Sequence, residues 1–195
     1  MSRRLPAAVA CLAACVAVTG ARAAGPIDLH RFDWNRAVVP GSVCGAGRPV
    51  ALRTGSATIR SRRWPGVPRV SVDRGRVVYG DLSGDGRDDA ALQIVCADLG
   101  GTAAGQLAFA VVVYAPSTRA PAAIGVLTPV LRTSGRHVPI LVPTSIGHDT
   151  VTVTEAVYGP HDADCCPTGR ARTVWKLERG RLRPASTRWE VRPRG

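Results

Sequence analysis

The sequence predicts a mainly β domain, an antiparallel meander curled into a barrel or folded over as a sandwich, with little helix. Three observations carry this. Short runs rich in Val, Ile, Thr and aromatics recur along the chain, bounded by Gly, Pro, Asp and Ser. Helical periodicity is almost absent, and 21 glycines and 15 prolines in 195 residues leave little room for long helices. The runs also follow one another at short spacing, which makes antiparallel neighbours the simplest topology; a large sheet then twists until it closes or folds over.

In chain order the pattern predicts strands near 48–53, 56–60, 68–73, 76–80, 89–96, 106–115, 124–128, 138–142, 149–157, 171–178 and 182–191. One short helical turn is expected near Trp34 to Val38. Asp73-Arg74-Gly75, between PRVSV and RVVYG, has the chemistry of a hairpin turn with glycine at a positive φ, and so does Arg179-Gly180, between TVWKLE and RLRPA. No repeat of useful length occurs, which disfavours a propeller. The longest irregular connections are 115–123 and 159–170.

Residues 1–23 read as a secretory signal: Arg3 and Arg4, an apolar run from Leu5, and an A-x-A cleavage site at Ala21-Arg22-Ala23. The run is shorter than the ~20 residues that span a bilayer, and no later segment approaches that length. Arg3-Arg4 is a twin arginine, but Pro6 stands where that route prefers a large apolar residue. Leu12-Ala13-Ala14-Cys15 reads as a competing lipobox, which would place an acyl anchor on Cys15. Cleavage after Ala23 is the favoured reading and leaves 172 residues, 24–195, as one domain. The expected location is secreted or at the outer cell surface.

The formal charge of the whole chain is +12, and removing Arg3, Arg4 and Arg22 takes it to +9. Lys176 is the only lysine, an arginine bias that fits a GC-rich bacterial genome. The cations are scattered apart from Arg60-Ser61-Arg62-Arg63-Trp64, without the interleaved aromatics of a nucleic-acid reader, and export argues against a nucleic-acid partner. A solvated basic surface is the simpler reading. Attraction to anionic cell-wall polymers is the functional one.

Of six cysteines, Cys11 and Cys15 lie in the signal, leaving Cys44, Cys96, Cys165 and Cys166. An even number in an exported chain implies two disulfides. A bond between neighbouring cysteines closes a small strained ring, so Cys44 and Cys96 are expected to pair each with one of Cys165 and Cys166. Cys44–Cys96 with a vicinal Cys165–Cys166 is the alternative. A zinc site would need a C-x-x-C spacing that is missing.

The densest cluster of chemistry is YGDLSGDGRDDAAL, residues 79–92. Counting from Asp81, oxygen-bearing side chains fall at alternating positions: Asp81, Ser83, Asp85 and, at nine, Asp89. Gly86 at six permits a sharp turn, and Arg87 at seven would offer only its carbonyl. Calcium takes six to eight oxygens, and such a loop can wrap it. The twelfth position is Leu92 in a predicted strand, so this is not an EF-hand; it resembles the calcium loops of FG-GAP repeats. Bound calcium would be structural. Ser83-Gly84-Asp85-Gly86 is equally good turn chemistry without metal. A general acid–base pair needs carboxylates in a cleft, which a hydrophilic loop does not favour.

The four histidines, His30, His137, His148 and His161, lack metal-binding spacing, and no G-x-S-x-G elbow occurs. In His161-Asp162-Ala163-Asp164-Cys165-Cys166 the cysteines are expected to be oxidised rather than nucleophilic. Trp34, Trp64, Trp175 and Trp189 could form a ligand platform but are expected in the core.

"VVPGSVCG" (38–45), "VVYGDLSGDGRDDAALQIVC" (77–96), "AVVVYAP" (110–116), "YGPHDADCCP" (158–167) and "TVWKLERGRL" (173–182) together resemble the LppP/LprE lipoprotein family and related small secreted proteins of high-GC Gram-positive bacteria. The resemblance covers most of the mature chain. It implies an envelope-associated domain without established catalysis. Three readings follow: an exported non-enzymatic domain, with calcium as its candidate stabiliser, acting in binding or structure; a metal-dependent hydrolase using the Asp81–Asp89 loop; and an arginine-mediated binder of anionic cell-wall polymers.

Overall fold

The apolar runs do become strands, and the two most apolar ones lie at the centre. A computed structural model describes residues 25–98, 105–133 and 137–193. The expected signal, with Cys15 and the cleavage site, falls outside them.

β1 (Val38–Val39) and β2 (Val50–Ala51) pair as a small ribbon. β3 (Ser56–Thr58), β4 (Arg69–Gly80), β5 (Asp89–Ala97), β6 (Gln106–Ala115) and β7 (Ala122–Leu127) form a five-stranded sheet in chain order. β8 (Ile140–Gly147), β9 (Thr150–Val157), β10 (Gly169–Glu178) and β11 (Arg181–Val191) form a second meander of four. All pairings within these sheets are antiparallel. Neither sheet closes. β8 lies against β4, β5 and β6, so the expected meander resolves into a sandwich rather than a barrel.

The five-stranded sheet is covered on both faces. Val70, Leu92, Ile94, Cys96, Val112 and Tyr114 pack against an N-terminal layer containing Leu29, Trp34, Val39, Val43 and Leu52. Ala91, Phe109, Val111, Val113 and Leu127 pack against Leu141, Val151, Val153 and Trp175 of the second sheet. Two-sided burial is why AALQIVC and AFAVVVY read as unbroken apolar runs. β9 instead alternates: Val151, Val153, Glu155 and Val157 are buried while Thr150, Thr152 and Thr154 are half-exposed.

The N-terminal layer holds three 3-10 turns: Trp34–Arg36, where one was expected, and also Leu29–Arg31 and Gly41–Cys44. Asp28 and Asp33 cap the first two by accepting from the amides of His30 (3.0 Å) and Asn35 (3.1 Å). Arg179-Gly180 is the expected β10–β11 turn, with φ of 50° and 73°.

Asp73-Arg74-Gly75 does not turn the chain back. β4 runs through it, and the flanking segments pair with the same partner, Val72 with Ile94 and Val77 with Leu92. Residues 73–76 are therefore a bulge in β4, for which the same turn-forming residues are suited.

The cysteine pairing also differs from the favoured expectation. Cys44 bonds Cys96, and Cys165 bonds Cys166. The reason is topological. Cys96 faces the N-terminal layer from within the five-stranded sheet, whereas Cys165 and Cys166 lie on the exposed β9–β10 connection of the other sheet. The body of the central sheet separates the two pairs.

Candidate functional site

The aspartate loop joins β4 to β5 and folds around Asp81. That carboxylate accepts from the amides of Gly84 (2.7 Å), Asp85 (3.1 Å) and Gly86 (2.8 Å). Gly84 and Gly86 sit at φ of 76° and 79°, the left-handed region that lets three successive amides converge on one side chain. The Gly86 amide is the main cause that lowers the Asp81 carboxyl below its ordinary value; partial burial opposes it.

Asp85 accepts from the Arg87 amide at 3.0 Å. Asp89 opens β5, is 2% exposed, and accepts from the Leu82 amide at 3.0 Å. Burial raises its carboxyl above the ordinary value, and repulsion from Asp85 and Asp81 adds to this. Ser83, expected as a ligand, is exposed on the loop. Among the described residues no three His, Cys, Asp or Glu side chains are grouped so as to hold one metal ion. The structure thus brings the acids into mutual electrostatic range but satisfies them with amides. The environments of Asp81 and Asp89 do push them apart, as in acid–base pairs. Asp89, however, is buried beneath the loop, and the cavity at this end is lined by His30, Gly86, Arg87 and Asp88.

Three histidines pair with acids: His30 with Asp88 (2.8 Å), His137 with Asp164 (3.0 Å) and His148 with Asp149 (3.1 Å). The tryptophans form no platform. Trp34 and Trp175 belong to opposite cores, while Trp64 and Trp189 lie beside Arg63 and Arg192.

A second feature was not visible as a sequence motif. In β10 and β11, directly opposed residues point to the same face. The register sets Arg172 opposite Arg188, Lys176 opposite Arg183 and Glu178 opposite Arg181, with Arg170 at the far end. All seven side chains are exposed. β9 contributes Thr150, Thr152, Thr154 and Ala156 to this face, none of them acidic. Glu190 bridges Arg172 at 3.0 Å, and Glu178 is the other acid present. Among the described residues no carboxylate forms an ion pair with Lys176, Arg183 or Arg188. The outer face of the second sheet is thus a basic ladder flanked by hydroxyls.

Searches against protein-family models, curated proteins and solved structures returned no significant match. No helix among the described residues is long and apolar enough to cross a membrane.

Proposed function

We propose that the mature chain is an exported, non-catalytic β-sandwich module, akin to the LppP/LprE lipoproteins, that holds an anionic envelope polymer against the outer face of its second sheet. The observation that carries this reading is the pair of like-charge positions set opposite each other in register, Lys176 with Arg183 and Arg172 with Arg188. Like charges directly opposite one another destabilise a sheet. A polyanion lying across the strands converts that repulsion into attraction. Alternate residues of one strand stand about 6.6 Å apart on the same face, so Arg170 and Arg172 are neighbours on β10 and Arg181 and Arg183 on β11, with Val174, Ser186 and the β11 bulge between the two groups. Arginine forks suit carboxylate and phosphate oxygens, and Thr150, Thr152, Thr154 and Ser186 add neutral hydroxyls.

The test uses the mature, oxidised protein with polyphosphate as probe, measured by calorimetry at low salt. Lys176→Glu together with Arg183→Glu is expected to weaken binding by about tenfold or more, because backbone-type anion contacts are mainly electrostatic. Unchanged affinity would remove this face from the account.

A second reading, a calcium-stabilised loop, is favoured by the convergence of Asp81, Asp85 and Asp89 on one loop, where burial raises the Asp89 carboxyl and repulsion from Asp85 and Asp81 adds to it. A divalent cation would relieve that repulsion. Asp81, Ser83, Asp85, Asp89 and the Arg87 carbonyl would hold it. Calcium at millimolar concentration is then expected to raise the unfolding midpoint, since a ligand bound only by the folded state stabilises it. Asp81→Asn with Asp85→Asn should abolish the shift. An unchanged midpoint of the parent protein would discard calcium and leave the loop as an amide-capped turn.

A further inference from the structure

We infer that Cys165–Cys166 is a thiol–disulfide exchange site, reducible by an external dithiol while the domain stays folded, and that its reduced form is a ready-made pair of soft-ligand sulfurs.

The two disulfides differ in every respect that governs exchange. Cys44 and Cys96 are 2% and 0% exposed, and they tie the Gly41–Cys44 turn to β5 across 52 positions of sequence. Cys165 and Cys166 are both exposed, and their Cα atoms are 3.8 Å apart. A bridge between chain neighbours encloses no length of chain. It therefore removes almost no freedom from the unfolded state and contributes little to stability by cross-linking. Attack by a thiolate needs access to sulfur, and of the two bridges only this one joins exposed residues.

The surrounding loop is fixed by other contacts. Asp162 accepts from the amides of Gly159 (2.7 Å) and Thr168 (2.8 Å) and from the Thr168 hydroxyl (2.9 Å). The Tyr158 hydroxyl donates to the Asp164 carbonyl at 2.9 Å, and His137 holds the Asp164 carboxylate. The Cys166 amide donates to the Ala163 carbonyl at 2.9 Å. None of these contacts involves sulfur, so opening the bridge leaves the backbone in place with two thiols side by side.

The exchange balances with a dithiol as reductant. One donor thiolate attacks an exposed Sγ, the Cys165–Cys166 bond breaks, and a mixed disulfide forms. The second donor thiolate then attacks the donor sulfur of that mixed bond. The donor leaves as its own disulfide, and Cys165 and Cys166 together take up two electrons and two protons. Two carboxylates, Asp162 and Asp164, stand immediately before the bridge in the chain. An uncharged dithiol should accordingly outpace anionic glutathione.

The test treats the native, oxidised protein with dithiothreitol, then with iodoacetamide or phenylarsine oxide, followed by intact mass and peptide mapping. The expected result is alkylation of Cys165 and Cys166 alone, capture of a single arsenical per chain, and an unchanged near-ultraviolet spectrum. Cys165→Ser with Cys166→Ser should fold with the parent midpoint and capture none. Reduction of the vicinal pair only together with Cys44–Cys96, or only after denaturation, would overturn the proposal. So would unfolding of the native chain on selective reduction.

Discussion

Replacing Cys44 and Cys96 together by Ala is expected to destabilise the domain by about 4 kcal/mol, the loop-entropy value for a closure of this length. The bridge spans 52 positions and joins two buried residues, one on a 3-10 turn and one on β5. The N-terminal layer is made of short turns and a two-residue ribbon, which cannot hold their position by backbone hydrogen bonding alone. Without the bridge, Leu29, Trp34, Val39 and Val43 lose the anchor that keeps them over the central sheet. The corresponding fall in melting midpoint is roughly 8–16 °C for a domain of this size, read by calorimetry. A loss no larger than that of the Cys165→Ser, Cys166→Ser variant would show that the layer is held by packing instead.

The second large effect is expected at Glu155. It is fully buried in the second half of β9, where an unpaired carboxylate would be prohibitive. Its Oε2 accepts from the amides of Val130 (3.0 Å) and Leu131 (2.9 Å), and its Oε1 from the Thr173 hydroxyl at 2.5 Å. Those amides belong to the β7–β8 connection, so Glu155 pins the crossover between the two sheets to the second one. Glu155→Ala strands three donors and leaves a cavity; a loss of about 3 kcal/mol is expected. Glu155→Gln keeps an acceptor and the shape, and should cost about half as much. Urea unfolding of both variants checks this. Equal losses would mean that the retained shape and single acceptor count for nothing and that the full carboxylate is required.

How far the sequence reached is clearest where a local signal met a long-range one. Strand positions were legible because β5 and β6 are apolar on both faces, and Arg179-Gly180 was legible because both residues must take positive φ. Asp73-Arg74-Gly75 carries the same turn chemistry but bulges within β4, since the residues on either side both pair with β5. Turn propensity does not say which partner a strand chooses. The disulfides failed for the same reason: which face of β5 carries Cys96 depends on register, and the favoured pairing needed sulfurs that the central sheet keeps apart. Glu155 gave no signal beyond an acid in a threonine-rich run.

The candidate sites divide in the same way. The aspartate loop announced itself in consecutive residues, and Gly84 and Gly86 do let it wrap Asp81. The basic ladder did not, because Arg172 and Arg188, or Lys176 and Arg183, become neighbours only when β11 folds back on β10. Charges that look scattered along the chain are gathered by hairpin register.

The most direct test of the polymer-binding account is the salt dependence of polyphosphate affinity. Neutralising Lys176→Gln and Arg183→Gln is expected to flatten the slope of log affinity against log salt by about one for each cation removed. Arg48→Gln with Arg60→Gln, an equal change of charge at exposed positions on the N-terminal side, should leave the slope near that of the parent. If both double variants lose slope equally, or neither does, binding follows net charge alone and the outer face of the second sheet is not the site.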